Sequence, residues 1–194
     1  RGELPYCGNM RWAVAILSVG AAQASSLYSV VDLGNFGGTS SLAAAINQSG
    51  VATGTASTPN GTQVVFTSDS GTRTTVDANG IAAGINGTNS VVGTSYGSGS
   101  PRATEWHDGI ASQILGVDSY AFDINDNGDI VGNRITGDTM TAFIESNGSI
   151  TDIPAGGTWS AAYGINKSGL VTGTIQGANG TFSAFSWNKL GGTV

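Results

Sequence analysis

A nine-residue pattern occurs four times along this 194-residue chain and governs what the chain can fold into. The copies are Ile46–Gly54, Ile85–Gly93, Ile124–Gly132 and Ile165–Gly173, spaced by 39, 39 and 41 residues. Each opens on Ile-Asn, crosses a few polar residues, and closes on a short apolar stretch ending in glycine. An alanine stands three residues before each isoleucine, at Ala43, Ala82, Ala121 and Ala162. A second apolar patch follows each closing glycine: Val65-Phe66-Thr67, Ala103-Thr104-Glu105-Trp106, Ala142-Phe143-Ile144 and Ala184-Phe185-Ser186-Trp187. A third follows about ten residues on, as in Thr75-Val76-Asp77 or Gln113-Ile114-Leu115-Gly116. Self-similarity at this period means an array of small units, each needing its neighbours to bury its apolar face.

The patches are short, rich in Val, Ile, Phe and Thr, and fenced by glycine or asparagine, which is strand composition. No window carries a helical apolar stripe. Gly50, Asn89, Gly128 and Gly169 stand where the chain must turn. Asparagine in place of glycine fits a left-handed backbone position, which it tolerates better than most residues. Ile-Asn-x-x-Gly therefore reads as strand end, tight turn and new strand. Asn-Gly pairs at 60–61, 79–80, 147–148 and 179–180 are read as further turns. About four strands per 40 residues is the content of a propeller blade. The small alanine fits an innermost strand, where blades crowd together. The fold expected is all-β and β-propeller-like, either four blades or part of a larger propeller. An antiparallel solenoid or sandwich is the alternative.

Asp32-Leu33-Gly34-Asn35-Phe36-Gly37-Gly38-Thr39-Ser40, then Ala44-Ala45-Ile46-Asn47, Gly54, and Ala-Phe pairs at 142–143 and 184–185 resemble the HAF repeat of bacterial extracellular repeat proteins. The resemblance covers the chain from Tyr28 onward. Val65-Phe66 and Ala103-Thr104 depart from it. It implies a secreted or cell-surface β-repeat protein, and it brings no catalytic residues with it.

Met10-Arg11 followed by the apolar run Trp12–Ala22 and the small residues Ala22-Gln23-Ala24 reads as a secretory signal peptide cut after Ala24. Residues 1–24 are thus upstream sequence plus leader, and residues 25–194 the repeat domain, placed outside the cell or on its surface. The run is too short for an ordinary membrane span. The mature part keeps twelve acidic and five basic residues, a net charge of about −7. That balance argues against nucleic acid and anionic membranes as partners. Cys7, the only cysteine, precedes the cleavage point, so no intrachain disulfide forms in the mature chain. At the carboxyl end two readings stay open. Tyr28–Asp32 completes the last unit and closes a four-bladed ring, or the ring is larger. An unclosed ring leaves sheet edges for pairing with another chain.

Several motifs carry candidate chemistry. Gly93-Thr94-Ser95-Tyr96-Gly97 matches the nucleophile-elbow spacing, yet no helix follows to form the elbow. Glu105, Trp106, His107 and Asp108 bring the only histidine beside two acids, within the repeat's aromatic patch. Asp123, Asn125, Asn127 and Asp129 resemble the start of a calcium loop, but Arg134 stands where an EF-hand needs glutamate. The other three units make the same turn without the acids. No cofactor is expected beyond a weak calcium site. Trp159 lies in the loop Gly156-Gly157-Thr158-Trp159, expected on a ligand-bearing face. Trp159, Trp106, Glu105 and His107 are the candidate ligand contacts. The function expected is structural or ligand-binding and non-catalytic, with extracellular polysaccharide or self-association through sheet edges as partners. The alternative is a carbohydrate-binding or carbohydrate-active module, whose acids would be among Glu105, Asp108, Asp123 and Asp126. A glycosidase needs two carboxyl groups facing each other across a cleft.

Overall fold

Every unit of the repeat folds into one four-stranded antiparallel meander. The computed structural model describes residues 30–154, 156–188 and 192–193. Contacts divide the chain into Arg1–Asp32 and Leu33–Val194. Of the first unit only residues 30–32 are described, and they belong to no strand. The leader, its cleavage point, Tyr28 and Ser29 lie outside the described residues.

Blade 1 is β1 (Ser41–Ile46), β2 (Ala52–Ser57), β3 (Gln63–Asp69) and β4 (Thr72–Asp77). Blade 2 is β5 (Gly80–Ile85), β6 (Val91–Ser95), β7 (Arg102–His107) and β8 (Ile110–Val117). Blade 3 is β9 (Ser119–Ile124), β10 (Ile130–Thr136), β11 (Thr139–Ser146) and β12 (Ser149–Asp152). Blade 4 is β13 (Ser160–Ile165), β14 (Val171–Gln176), β15 (Phe182–Asn188) and β16 (Gly192–Thr193). There is no helix among the described residues. The fourth place in blade 4 is thus taken by Gly192–Thr193, paired with Asn188 and Trp187.

The alanine-bearing strands β1, β5, β9 and β13 are innermost and pack side by side in chain order. Each carries a bulge, at Ala44, Ala83, Phe122 and Tyr163, just after the repeat alanine. The alanine pairs with the closing glycine: Ala43 with Gly54, Ala82 with Gly93, Ala121 with Gly132, Ala162 with Gly173. The bulge drives the inner strand's carbonyl against that glycine. A Cβ on Gly132 would fall on the carbonyl oxygen of Tyr120, and one on Gly93 on that of Ile81. This close approach explains why the pattern always ends in glycine.

The expected turns are present. Gly50, Asn89, Gly128 and Gly169 take φ of 84°, 64°, 85° and 81°. Of the Asn-Gly pairs, Asn79-Gly80 is not such a turn. Gly80 already begins β5, against Val65 of the preceding blade.

The apolar core lies between blades. Val51 and Val65 pack with Ala82, Ile85, Val91 and Trp106 across the first seam. Val92 and Ala103 pack with Ala121, Ile124, Ile130 and Phe143 across the second. Val131, Ala142, Ile144 and Ile153 pack with Ala162, Val171, Phe185 and Trp187 across the third. Two adjacent residues on each second strand, such as Ile130 and Val131, serve opposite seams because strand side chains alternate. Among the described residues no packing of comparable extent joins blade 4 back to blade 1. The four blades form an open arc.

Asparagine ties the arc together. In every unit its Oδ1 accepts two turn N–H groups, as Asn86 does from Thr88 and Ser90. Its Nδ2 then donates to the next unit's asparagine carbonyl: Asn47 to Asn86 at 2.9 Å, Asn86 to Asn125 at 3.2 Å, Asn125 to Asn166 at 3.0 Å.

Candidate functional site

The residue before each inner strand closes a backbone bond to its own blade, at Ser40, Asn79, Asp118 and Trp159. Three of these are small and polar; the fourth is an indole. The Trp159 carbonyl accepts the Gln176 N–H at 2.8 Å, and the preceding Thr158 carbonyl accepts the Met140 N–H at 2.9 Å. The loop is thereby fixed to blades 3 and 4 at once. Phe182 opens β15, where the register places Gln63, Pro101 and Met140 in the other units. These two aromatics, each a departure from the other units, meet edge to face, with ring centroids 5.3 Å apart and planes at 81°. Phe182 is exposed and Trp159 half-buried.

Around them lies a groove of about 260 Å³ at the blade 3–4 seam. Asp138, Thr139, Thr158 and Gln176 supply its polar groups, and Ile135 and Met140 its apolar floor. The Thr158 hydroxyl donates to Gln176 Oε1 at 3.2 Å. An aromatic platform ringed by a carboxylate, hydroxyls and an amide can stack a ring and bond its substituents at the same time. Trp159 was legible in the sequence; Phe182 was not. Its signal was the departure from the other units at that register.

The other three candidate ligand contacts lie elsewhere. Trp106 is 1% exposed, sits in the first seam, and donates its indole N–H to Asp77 at 2.9 Å. His107 is exposed at a hairpin, its Nδ1 2.8 Å from the Ser90 hydroxyl and its Nε2 3.4 Å from Asp108. Glu105 lines a pocket of about 270 Å³ at the blade 2–3 seam, together with Glu145. Glu145 occupies the register of Trp106 and Trp187, a substitution that its place in the repeat marks. Burial pushes its carboxyl above the usual range, the Gly148 N–H pulls it down, and Glu105 and Asp129 push it up.

Of the calcium-like residues, Asp123, Asn125 and Asp129 spend their side-chain oxygens within the protein. Asp123 accepts the N–H of Ile124 and of Ile165 in the next blade, both at 2.9 Å. Burial raises its carboxyl and these bonds lower it, burial being the larger. Asn125 Oδ1 takes the N–H groups of Asn127 and Asp129, and Asn127 donates to the Lys167 carbonyl. Asp129 accepts from Asn125 Nδ2 and the Ser146 hydroxyl. Among the described residues no three His, Cys, Asp or Glu side chains are grouped to hold a metal ion. Ser95, the serine of the elbow-like motif, ends a strand, and its hydroxyl meets the Gly97 N–H at 3.4 Å. None of the described helices is long and apolar enough to cross a membrane, there being none at all.

No family model matches the chain, and no curated protein matches it. Among solved structures it is similar to the crystal structure of TolB from Acinetobacter baumannii, with a TM-score of 0.63 at 15% identity. The match covers 79% of this chain and 42% of that one, so this chain spans less than half the length of that protein. The likeness establishes a β-propeller-like fold.

Proposed function

We propose that the chain is a non-catalytic binding module, exported to the extracellular space or cell surface, whose Trp159 groove takes a sugar ring of a polysaccharide. The observation that carries this is the meeting of Trp159 and Phe182, two aromatics that depart from the repeat, at a groove lined by Asp138, Thr158 and Gln176. The other two tryptophans of the repeat, Trp106 and Trp187, are spent on core packing. An indole face gives a sugar's C–H surface an apolar platform, while amide and carboxylate groups bond its hydroxyls. Export is supported by the leader-like run 10–24 and by the resemblance to the HAF repeat. Affinity electrophoresis through gels cast with bacterial polysaccharides tests the binding. The wild-type chain is retarded by at least one of them, and Trp159→Ala and Phe182→Ala migrate as in an empty gel. Equal retardation of wild type and both variants moves the site elsewhere.

The second reading is a hydrolytic carboxyl pair, favoured by Glu105 and Glu145 sharing one pocket with Glu145 held toward its protonated form. Release of reducing ends by the wild type and its loss in Glu145→Gln would replace the first reading with this one.

A further inference from the structure

The two ends of the arc carry complementary halves of the same seam. Three seams join the four blades, and each is built from a preceding-facing side of one blade and a following-facing side of the other. On the preceding-facing side stand the inner-strand isoleucine and, in blades 1, 3 and 4, the serine that opens the inner strand, a place held by Gly80 in blade 2. Ile85 and Ile124 are buried there, 8% and 4% exposed, whereas Ile46 of blade 1 is 67% exposed. Ser119 and Ser160 are fully buried, and their hydroxyls accept the N–H of Ala103 and Ala142 from the blade before, at 2.9 and 2.8 Å. Ser41, at the same place in blade 1, is exposed. Leu33 and Phe36 cover Ala56, Val64 and Phe66 of that blade but leave these inner-strand residues bare.

The following-facing side of blade 4 shows the matching deficit. Ala184 holds the register of Val65, Ala103 and Ala142, which are completely buried, yet Ala184 is exposed. Thr172 holds the register of the buried Thr53, Val92 and Val131, and is exposed too. The asparagine ladder breaks at the same two ends. Among the described residues Asn166 Nδ2 has no acceptor. Among the described residues the Asn47 carbonyl takes only the Gly50 N–H of its own turn, whereas the Asn86, Asn125 and Asn166 carbonyls take a second donor from the blade before.

We propose that blade 4 of one copy of this chain docks on blade 1 of a second copy, continuing the arc head to tail. In that junction Asn166 Nδ2 donates to the partner's Asn47 carbonyl, the Ala184 N–H donates to the partner's Ser41 hydroxyl, and the partner's Ile46 is buried. The contact is heterologous, so it propagates to a closed ring or a filament. It uses blade faces, not the outer sheet edges, and it is independent of the Trp159 groove.

Sedimentation velocity over a wide range of concentration tests this. The wild type assembles beyond the monomer. Ala184→Arg blocks one side of the junction and Ile46→Lys the other; both positions are exposed, so both variants keep the wild-type circular dichroism and remain monomeric. Mixing the two variants restores one junction, between the intact blade 1 of Ala184→Arg and the intact blade 4 of Ile46→Lys, and gives dimers that grow no further. A wild type that stays monomeric overturns the proposal, as does assembly that neither substitution disturbs, which would place the contact at sheet edges.

Discussion

The side-chain amide of Asn86 donates to the backbone carbonyl of Asn125, 39 residues on, at 3.2 Å, while its Oδ1 holds two N–H groups of its own turn. One buried side chain thus shapes a turn and fastens two blades. Replacing Asn86 by alanine leaves those groups unpaired in a buried place and is expected to cost about 3 kcal/mol. Asn166→Ala, at the exposed end of the ladder, removes within its own chain only turn bonds and, at concentrations where the chain is monomeric, is expected to cost about 1 kcal/mol. Urea unfolding measures both; equal losses would mean that the inter-blade bond contributes nothing.

Gly132 and Gly128 separate two reasons for glycine. Gly128 needs only a left-handed backbone, in open space, so Gly128→Ala is expected to cost about 1–2 kcal/mol. Gly132 lies against the Tyr120 carbonyl, and Gly132→Ala forces the bulge apart, at about 3 kcal/mol or more. Thermal unfolding of the pair gives the order, and the reverse order would contradict the bulge geometry.

Much of this was legible beforehand. The Ile-Asn-x-x-Gly spacing yielded the strands, the left-handed turns and the inner position of the alanines. The bulges were not legible, because nothing in Ala44, Ala83, Phe122 or Tyr163 sets them apart as residue types. Asp123 read as a calcium ligand because an asparagine-rich turn and a calcium loop use the same oxygens at the same spacing. Only the next blade reveals that its carboxylate is aimed at the Ile165 N–H. Glu105 stood out as a mid-strand acid, but its counterpart Glu145 lies 40 residues away and is brought to it by blade stacking.

The burial of Glu145, with the Glu105 and Asp129 carboxylates adding to it, sets a pH dependence. Unfolded, Glu145 ionises near the ordinary glutamate value of about 4.3. Folded, it keeps its proton to higher pH. Over that interval the folded chain binds more protons than the unfolded one, so stability falls as pH rises. Glu145→Gln keeps an acceptor for the Gly148 N–H and removes the ionisation. It is expected to melt above the wild type at neutral pH and level with it below pH of about 4. A variant less stable than wild type at neutral pH would mean that the ionised carboxylate stabilises the seam.

Calcium is expected to leave the melting temperature unchanged, because Asp123, Asn125 and Asp129 already hold protein donors on their oxygens. A calcium-dependent rise that Asp129→Asn removes would show that the turn opens to take the ion.

The most direct test of the binding account is a titration of the tryptophan indole N–H resonances with the retarding polysaccharide or its oligosaccharides. The account predicts that the Trp159 signal shifts saturably while those of Trp106 and Trp187, buried in the seams, stay in place. Saturable binding that leaves the Trp159 resonance unmoved would contradict it.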